Sequence, residues 1–112
     1  MTFDDVREIA RGLPNVDDAL SYGAPALKVN GQLMIRLRED LNAIVVRTTF
    51  DQREGLMSEE PDVYFITEHY REYPWVLVNL ETVTPDALRE LVNIALGLAR
   101  KPTKGGPKTK GR

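Results

Sequence analysis

The sequence predicts an α+β domain: an antiparallel sheet built from β-hairpins, with an N-terminal and a C-terminal helix packed on one of its faces. Three observations carry this. Apolar residues recur at helical spacing at both ends of the first hundred residues, β-branched runs of period two fill the middle, and the turn signal Asn30-Gly31 joins two of those runs. Strands bracketed by helices, in place of strict strand–helix alternation, select α+β over a parallel doubly wound sheet.

Thr2 with Asp5 three residues on forms a capping-box start, and Phe3, Val6, Ile9, Ala10 and Leu13 then follow helical spacing until Gly12 and Pro14 end the helix. From Ala19 the period becomes two. Ala26-Leu27-Lys28-Val29 and Gln32 to Arg38 flank Asn30-Gly31 as a hairpin, with Tyr22-Gly23-Ala24-Pro25 setting its entry. Glu39 to Asn42 reads as a turn into the strand Ala43 to Thr48, which makes a second hairpin. Asp51 with Glu54 marks the start of a short helix that Pro61 stops. Val63 to Thr67 and Val76 to Leu80 are two further strands, joined by an aromatic, proline-containing loop. Thr84 caps the last helix, Pro85 occupies its first position, and Leu88, Leu91, Val92, Ala95, Leu98 and Ala99 form a stripe wide enough to cover a sheet.

A chain of 112 residues has room for one core, and 42% apolar with 29% charged residues is ordinary globular usage. We assign residues 1–100 to one domain and 101–112 to a disordered basic tail, which has no apolar residue with which to pack. The absence of cysteine excludes disulfides, thiolate metal sites and thiol nucleophiles. The acidic N-terminus and the shortness of every apolar run lead us to expect a cytoplasmic protein that is neither exported nor membrane-spanning. The net charge of −2 hides an asymmetry: residues 1–99 carry nine basic and seventeen acidic side chains, while 100–112 carry six basic ones and no acid. Lys101, Lys104, Lys108 and Lys110 of this tail could neutralise phosphates without reading sequence, or fold back on the acidic body.

Strand alternation separates Leu33, Ile35 and Leu37 from Met34, Arg36 and Arg38, which puts both arginines on the face away from the core, with Lys28 and Arg47 expected beside them. Arginines on a two-stranded ribbon are suited to phosphates or a major groove; equally, their stems can cover an exposed sheet. The segment from His69 to Trp75 gathers the single His, the single Trp and two of four Tyr, so His69, Tyr70, Arg71 and Trp75, with Tyr22, are candidates to grip a small ligand or a protein. The same rings can instead pack beneath their loop, which is the expectation for Tyr73 and Trp75. One His and no Cys cannot build a zinc site, no spacing supplies His69 with a nucleophile and an orienting partner, and no phosphate-loop motif occurs. The acidic pairs Asp17-Asp18 and Glu59-Glu60 read as solvated helix-end charges. Catalysis, metals and cofactors are therefore not expected.

Leu13-Pro14, Ser21-Tyr22-Gly23-Ala24-Pro25-Ala26-Leu27-Lys28-Val29, Arg36-Leu37-Arg38 and His69-Tyr70-Arg71-Glu72-Tyr73-Pro74-Trp75-Val76, in this order, resemble the MmcQ/YjbR family of small bacterial proteins over about residues 3–100. The resemblance implies a CyaY-like α+β fold with two hairpin wings, described as a double-wing DNA-binding fold. The function expected on these grounds is non-enzymatic DNA binding through the basic hairpin face and tail. The alternative is a protein-interaction or small-ligand module using the aromatic loop.

Overall fold

A computed structural model describes residues 1–100, so the basic tail with Lys101, Lys104, Lys108 and Lys110 lies outside the described residues. The chain runs α1 (Phe3–Ala10), β1 (Val16–Ser21), β2 (Ala24–Val29), β3 (Gln32–Arg38), β4 (Ala43–Arg47), α2 (Phe50–Glu59), β5 (Tyr64–Phe65), β6 (Trp75–Asn79) and α3 (Pro85–Arg100). Single 3₁₀ turns occupy Glu39–Leu41 and Glu68–Tyr70. The six strands form one sheet in the order β1-β2-β3-β4-β6-β5, and every neighbouring pair is antiparallel.

Local chemistry places most of these elements. The Thr2–Asp5 capping box opens α1, and the Thr84 hydroxyl accepts the Ala87 N–H at 3.2 Å at the start of α3. Asn30 and Gly31 both have positive φ, 51° and 82°, as the tight turn between β2 and β3 demands. Two amphipathic helices then cover one face of the sheet. Leu88, Leu91, Val92 and Ala95 of α3, with Phe3, Val6 and Ala10 of α1, pack on Leu27, Val29, Ile35, Ile44, Val46, Val76 and Val78. The opposite face carries a smaller cluster of Ala43, Val45, Tyr70 and Leu77, flanked by Phe65, Ile66 and Trp75. The fold class and the placement of terminal helices on one face agree with the sequence reading.

Four details differ. Residues Val16–Ser21 are already strand, so Asp17 and Asp18 are not helix-end charges: Asp17 stands opposite Lys28, and Asp18 accepts from Arg7 of α1 at 2.8 Å. The second helix starts at Phe50 behind Thr49, which forms a capping box with Gln52, so Thr49 and not Asp51 is its N-cap. Val63 to Thr67 shortens to the two paired residues Tyr64 and Phe65.

The fourth difference matters most for the site. Leu27 pairs with Ile35 but Lys28 pairs with Leu33, which leaves Met34 as an extra residue in β3. This β-bulge turns Met34 and Ile35 to the same side, and both are fully buried in the helix-covered core. Alternation is broken there, so Leu33 and not Met34 joins Arg36 and Arg38 on the open face. Unbroken alternation would treat position 34 as surface. We predict that Met34→Gln destabilises the protein by about 2–4 kcal/mol because it buries an unpartnered amide. Leu33→Gln, on the open face, is expected to cost less than about 1 kcal/mol; urea unfolding of the two variants measures the contrast.

Candidate functional site

Cross-strand pairing writes the open face in rows. One row runs Ala19, Ala26, Arg36, Val45, Leu77 and Phe65 from β1 to β5, and the next carries Arg38, Ala43 and Asn79. Helix α3 meets β2, β3 and β4 from the other side of the sheet. Over the β4–β6 end of the open face folds the segment from Thr67 to Trp75, and between that segment and the Tyr22–Gly23 turn lies a groove of about 910 Å³. Its lining includes Ser21, Tyr22, Leu33, Arg36, Arg38, Leu41, Val45, Thr67, His69, Tyr70, Tyr73 and Trp75. A groove of this size, whose apolar and aromatic walls are joined by Ser21, Thr67, His69 and two arginines, is of the kind that takes small molecules.

The wall formed by residues 67–75 is held by Arg53. Its side chain projects from α2 and is only 4% exposed. Nη1 donates to the carbonyls of Tyr70 at 3.0 Å, Tyr73 at 2.7 Å and Trp75 at 3.2 Å, and Nη2 donates to that of Arg71 at 3.1 Å. The Phe50 ring lies 5.0 Å from the guanidinium carbon. Burying a cation without a carboxylate is expensive, and here four carbonyl dipoles offset that cost. A bond from the Thr48 N–H to the Pro74 carbonyl, 2.9 Å, ties the same wall to the end of β4.

The arginines of the open face are engaged within the protein to different degrees. Arg38 donates to both oxygens of Asp40, at 3.0 and 2.8 Å, and from Nη1 to the Tyr70 hydroxyl at 2.9 Å. The Arg38 guanidinium holds the Asp40 carboxyl below its ordinary value, and the bond to Asp40 in turn raises Arg38. Arg47 donates from Nε to the Leu33 carbonyl at 2.8 Å and lies 4.7 Å from the centroid of the Trp75 ring, and burial lowers its pKa. Arg36 donates from Nε alone, to the Ser21 carbonyl at 3.0 Å, with the Tyr22 ring at 5.6 Å.

Lys28, Arg36, Arg38 and Arg47 thus share the open face, but only Arg36 and Arg38 line the groove. Lys28 sits toward β1, opposite Asp17. Of the aromatic candidates, Tyr22, His69, Tyr70 and Trp75 line the groove, whereas Arg71 pairs with Glu68 at 2.8 and 2.9 Å and does not. Tyr70 is buried as a wall member. Tyr73 is 55% exposed, so it is not packed away beneath its loop, while Trp75 is half-buried. His69 is exposed, and its ring meets Tyr70 edge-on at 4.8 Å and tilted Tyr73 at 6.4 Å. Among the described residues no three His, Asp or Glu side chains converge as a metal site, and no described helix is long and apolar enough to cross a membrane.

Sequence reasoning missed Arg53, Leu33 and Leu41. Nothing local marks Arg53, because its four acceptors lie 17 to 22 residues away. We predict that Arg53→Leu destabilises the fold by about 3–5 kcal/mol in urea unfolding, since it strands buried carbonyls. Arg53→Lys, which keeps the charge but not the fork, should recover less than half of that loss.

Comparison with known proteins fits this architecture. A family model described as YjbR matches residues 11–96. The uncharacterized proteins Mb2600 of Mycobacterium bovis and Rv2570 of Mycobacterium tuberculosis are each 29% identical over 109 residues, covering 84% of this chain and 84% of the relative. The crystal structure of Deinococcus radiodurans protein DR2400, which carries the family-model domain DUF419, superposes with a TM-score of 0.77 at 23% identity. That match covers 96% of this chain and 83% of the other.

Proposed function

The chain belongs to the YjbR family, and from that premise we propose that it is a non-catalytic binding module whose ligand enters the aromatic groove of the open sheet face. The observation that carries this reading is the convergence of Tyr22, His69, Tyr73 and Trp75 with Arg36 and Arg38 around one groove of about 910 Å³. The wall is fixed in advance by Arg53, so a ligand need not order it, and preorganisation of this kind favours affinity. Binding without turnover is favoured by the surroundings of His69, whose closest ring neighbours are tyrosines and which has no orienting carboxylate among the described hydrogen bonds.

A second reading, contact with DNA, draws support from the shared face of Lys28, Arg36, Arg38 and Arg47. Against it stands their engagement: Asp40 takes the charge of Arg38, and Asp17 faces Lys28. Two hairpins paired into one continuous sheet also differ from free wings that enter a groove. The acidic balance of residues 1–99 further repels a polyanion.

Trp75 is the sole tryptophan and lines the groove, so a ligand bound there reports itself. We expect the fluorescent probe 8-anilinonaphthalene-1-sulfonate to quench Trp75 emission saturably by energy transfer, with Tyr73→Ser and Leu41→Ser together weakening binding about tenfold, or about 1.4 kcal/mol. Absence of saturable quenching would remove the groove reading. In anisotropy titrations of a labelled DNA duplex at low salt, the chain ending at Arg100 is expected not to bind. Salt-sensitive affinity retained by that chain would move the function to the arginine face.

A further inference from the structure

The charges and rings of the groove specify the chemistry of its ligand more narrowly, on the premise that the groove is the binding site. Arg36 and Arg38 are its two guanidinium groups, and Asp40 faces them. Asp40 is bonded to both Nε and Nη2 of Arg38 and acts on Arg36 only through space. Arg36 forms no ion pair among the described residues; its one described bond, Nε to the Ser21 carbonyl, leaves Nη1 and Nη2 without a described partner. Nη1 and Nη2 then present two parallel N–H groups, the fork that matches the two oxygens of a carboxylate or phosphate. One uncompensated positive charge remains.

Tyr22 supplies a second, independent observation. Tyr22 and Gly23, with φ of 53° and 79°, form the two-residue turn between β1 and β2 in the same geometry as Asn30-Gly31, so the turn sets the positive φ and the unusual feature is an aromatic residue at a position that ordinarily takes Asn, Asp or Gly. Tyr22 is 96% exposed, so its ring is not part of the core. What the turn accomplishes is to hold an aromatic face at the rim of the groove, 5.6 Å from the Arg36 guanidinium carbon. An exposed aromatic ring at the groove rim is a surface available to a ligand. Across the groove, Tyr73 and Trp75 offer further ring surface.

We propose that the groove takes a small molecule with a planar aromatic body and a single oxyanion, the oxyanion held by Nη1 and Nη2 of Arg36 and the ring seated among Tyr22, Tyr73 and Trp75. A polyanion fits poorly at the Arg36–Arg38 end of the groove, because Asp40 leaves those two guanidinium groups with one net positive charge.

The test uses NMR of the full-length, ¹⁵N-labelled protein, in which Trp75 gives the single indole N–H resonance. Three probes share one ring system: 2-naphthoate, 2-naphthyl phosphate and the neutral 2-naphthamide. The expected result is that 2-naphthoate shifts the Trp75 resonance with a Kd at least tenfold below that of 2-naphthamide, and that Arg36→Gln abolishes the difference. Asp40→Asn frees Arg38 and should strengthen binding of the phosphate ester several-fold, a gain that a misfolded variant cannot produce. The ratio of the two anions in the wild type tells whether carboxylate or phosphate is the preferred oxyanion. Equal affinity for the amide and both anions, or anion binding unchanged in Arg36→Gln with Asp40→Asn also without effect, overturns the oxyanion assignment while the groove stands. If none of the three probes moves the Trp75 resonance, the groove itself is not the site.

Discussion

A buried guanidinium with no carboxylate partner among the described residues governs the architecture on the open side of this sheet. Arg53 leaves α2 and spends four hydrogen bonds on the carbonyls of Tyr70, Arg71, Tyr73 and Trp75, which belong to a segment that would otherwise be a surface loop. Loops of this kind ordinarily turn their backbone polar groups toward water. Here the polar groups point inward to one cation, and the aromatic side chains are left to turn toward the sheet and the solvent. Tyr70 thereby becomes a wall that accepts from Arg38, Trp75 lies under Arg47, and Tyr73 stands at the rim. The groove is a consequence of where Arg53 draws the chain.

A second constraint acts within the sheet. Both faces of β4 and β6 are apolar, since Ile44 and Val46 meet the helices while Ala43 and Val45 meet the aromatic segment. Toward β1 the open face loses this apolar character and carries Lys28, Arg36 and Arg38. The bulge at Met34 marks the transition. By placing Met34 beside Ile35 in the helix-covered core, it restores the phase on which Leu33, Arg36 and Arg38 can share the open face, and a bulge of this kind adds local twist to the β2–β3 hairpin that turns at Asn30-Gly31. Bulges are frequent beside functional sites for this reason: they re-aim side chains without changing the strand order.

Features that depend on neighbouring residues were legible in the sequence. The Asn30-Gly31 turn, the Thr2 capping box and the Thr84 cap each work through contacts within four residues, and the apolar stripe of α3 declares its buried face through its spacing. Features that depend on distant partners were not legible. Leu33 to Arg38 alternates as well without a bulge as with one, and only the register against Leu27 and Lys28 decides. Thr49 and Asp51 both satisfy the rules for an N-cap, and the choice fell to the residue whose partner Gln52 could close the box. The aromatic composition of residues 69–75 singled out a segment that walls the groove, yet the division of labour among Tyr70, Tyr73 and Trp75 follows from Arg53. A charged residue on a short helix gives no sign that it is buried. The basic residues were placed on the correct face, while their internal engagement with Asp40, Ser21 and Leu33 was invisible to residue counting.

If the wall is clamped by Arg53 before any ligand arrives, it should open only when the surrounding structure opens. Amide hydrogen exchange reads this directly, because an unclamped surface turn exchanges through local fluctuation and a clamped one through larger unfolding. The amides of Tyr70 and Tyr73, bonded to Thr67 and Tyr70 carbonyls, are predicted to show protection comparable to that of Val45 and Leu77 in the central strands. Near-unprotected exchange at Tyr70 and Tyr73 alongside strong protection at Val45 and Leu77 would contradict the account, because the groove would then lack a fixed wall.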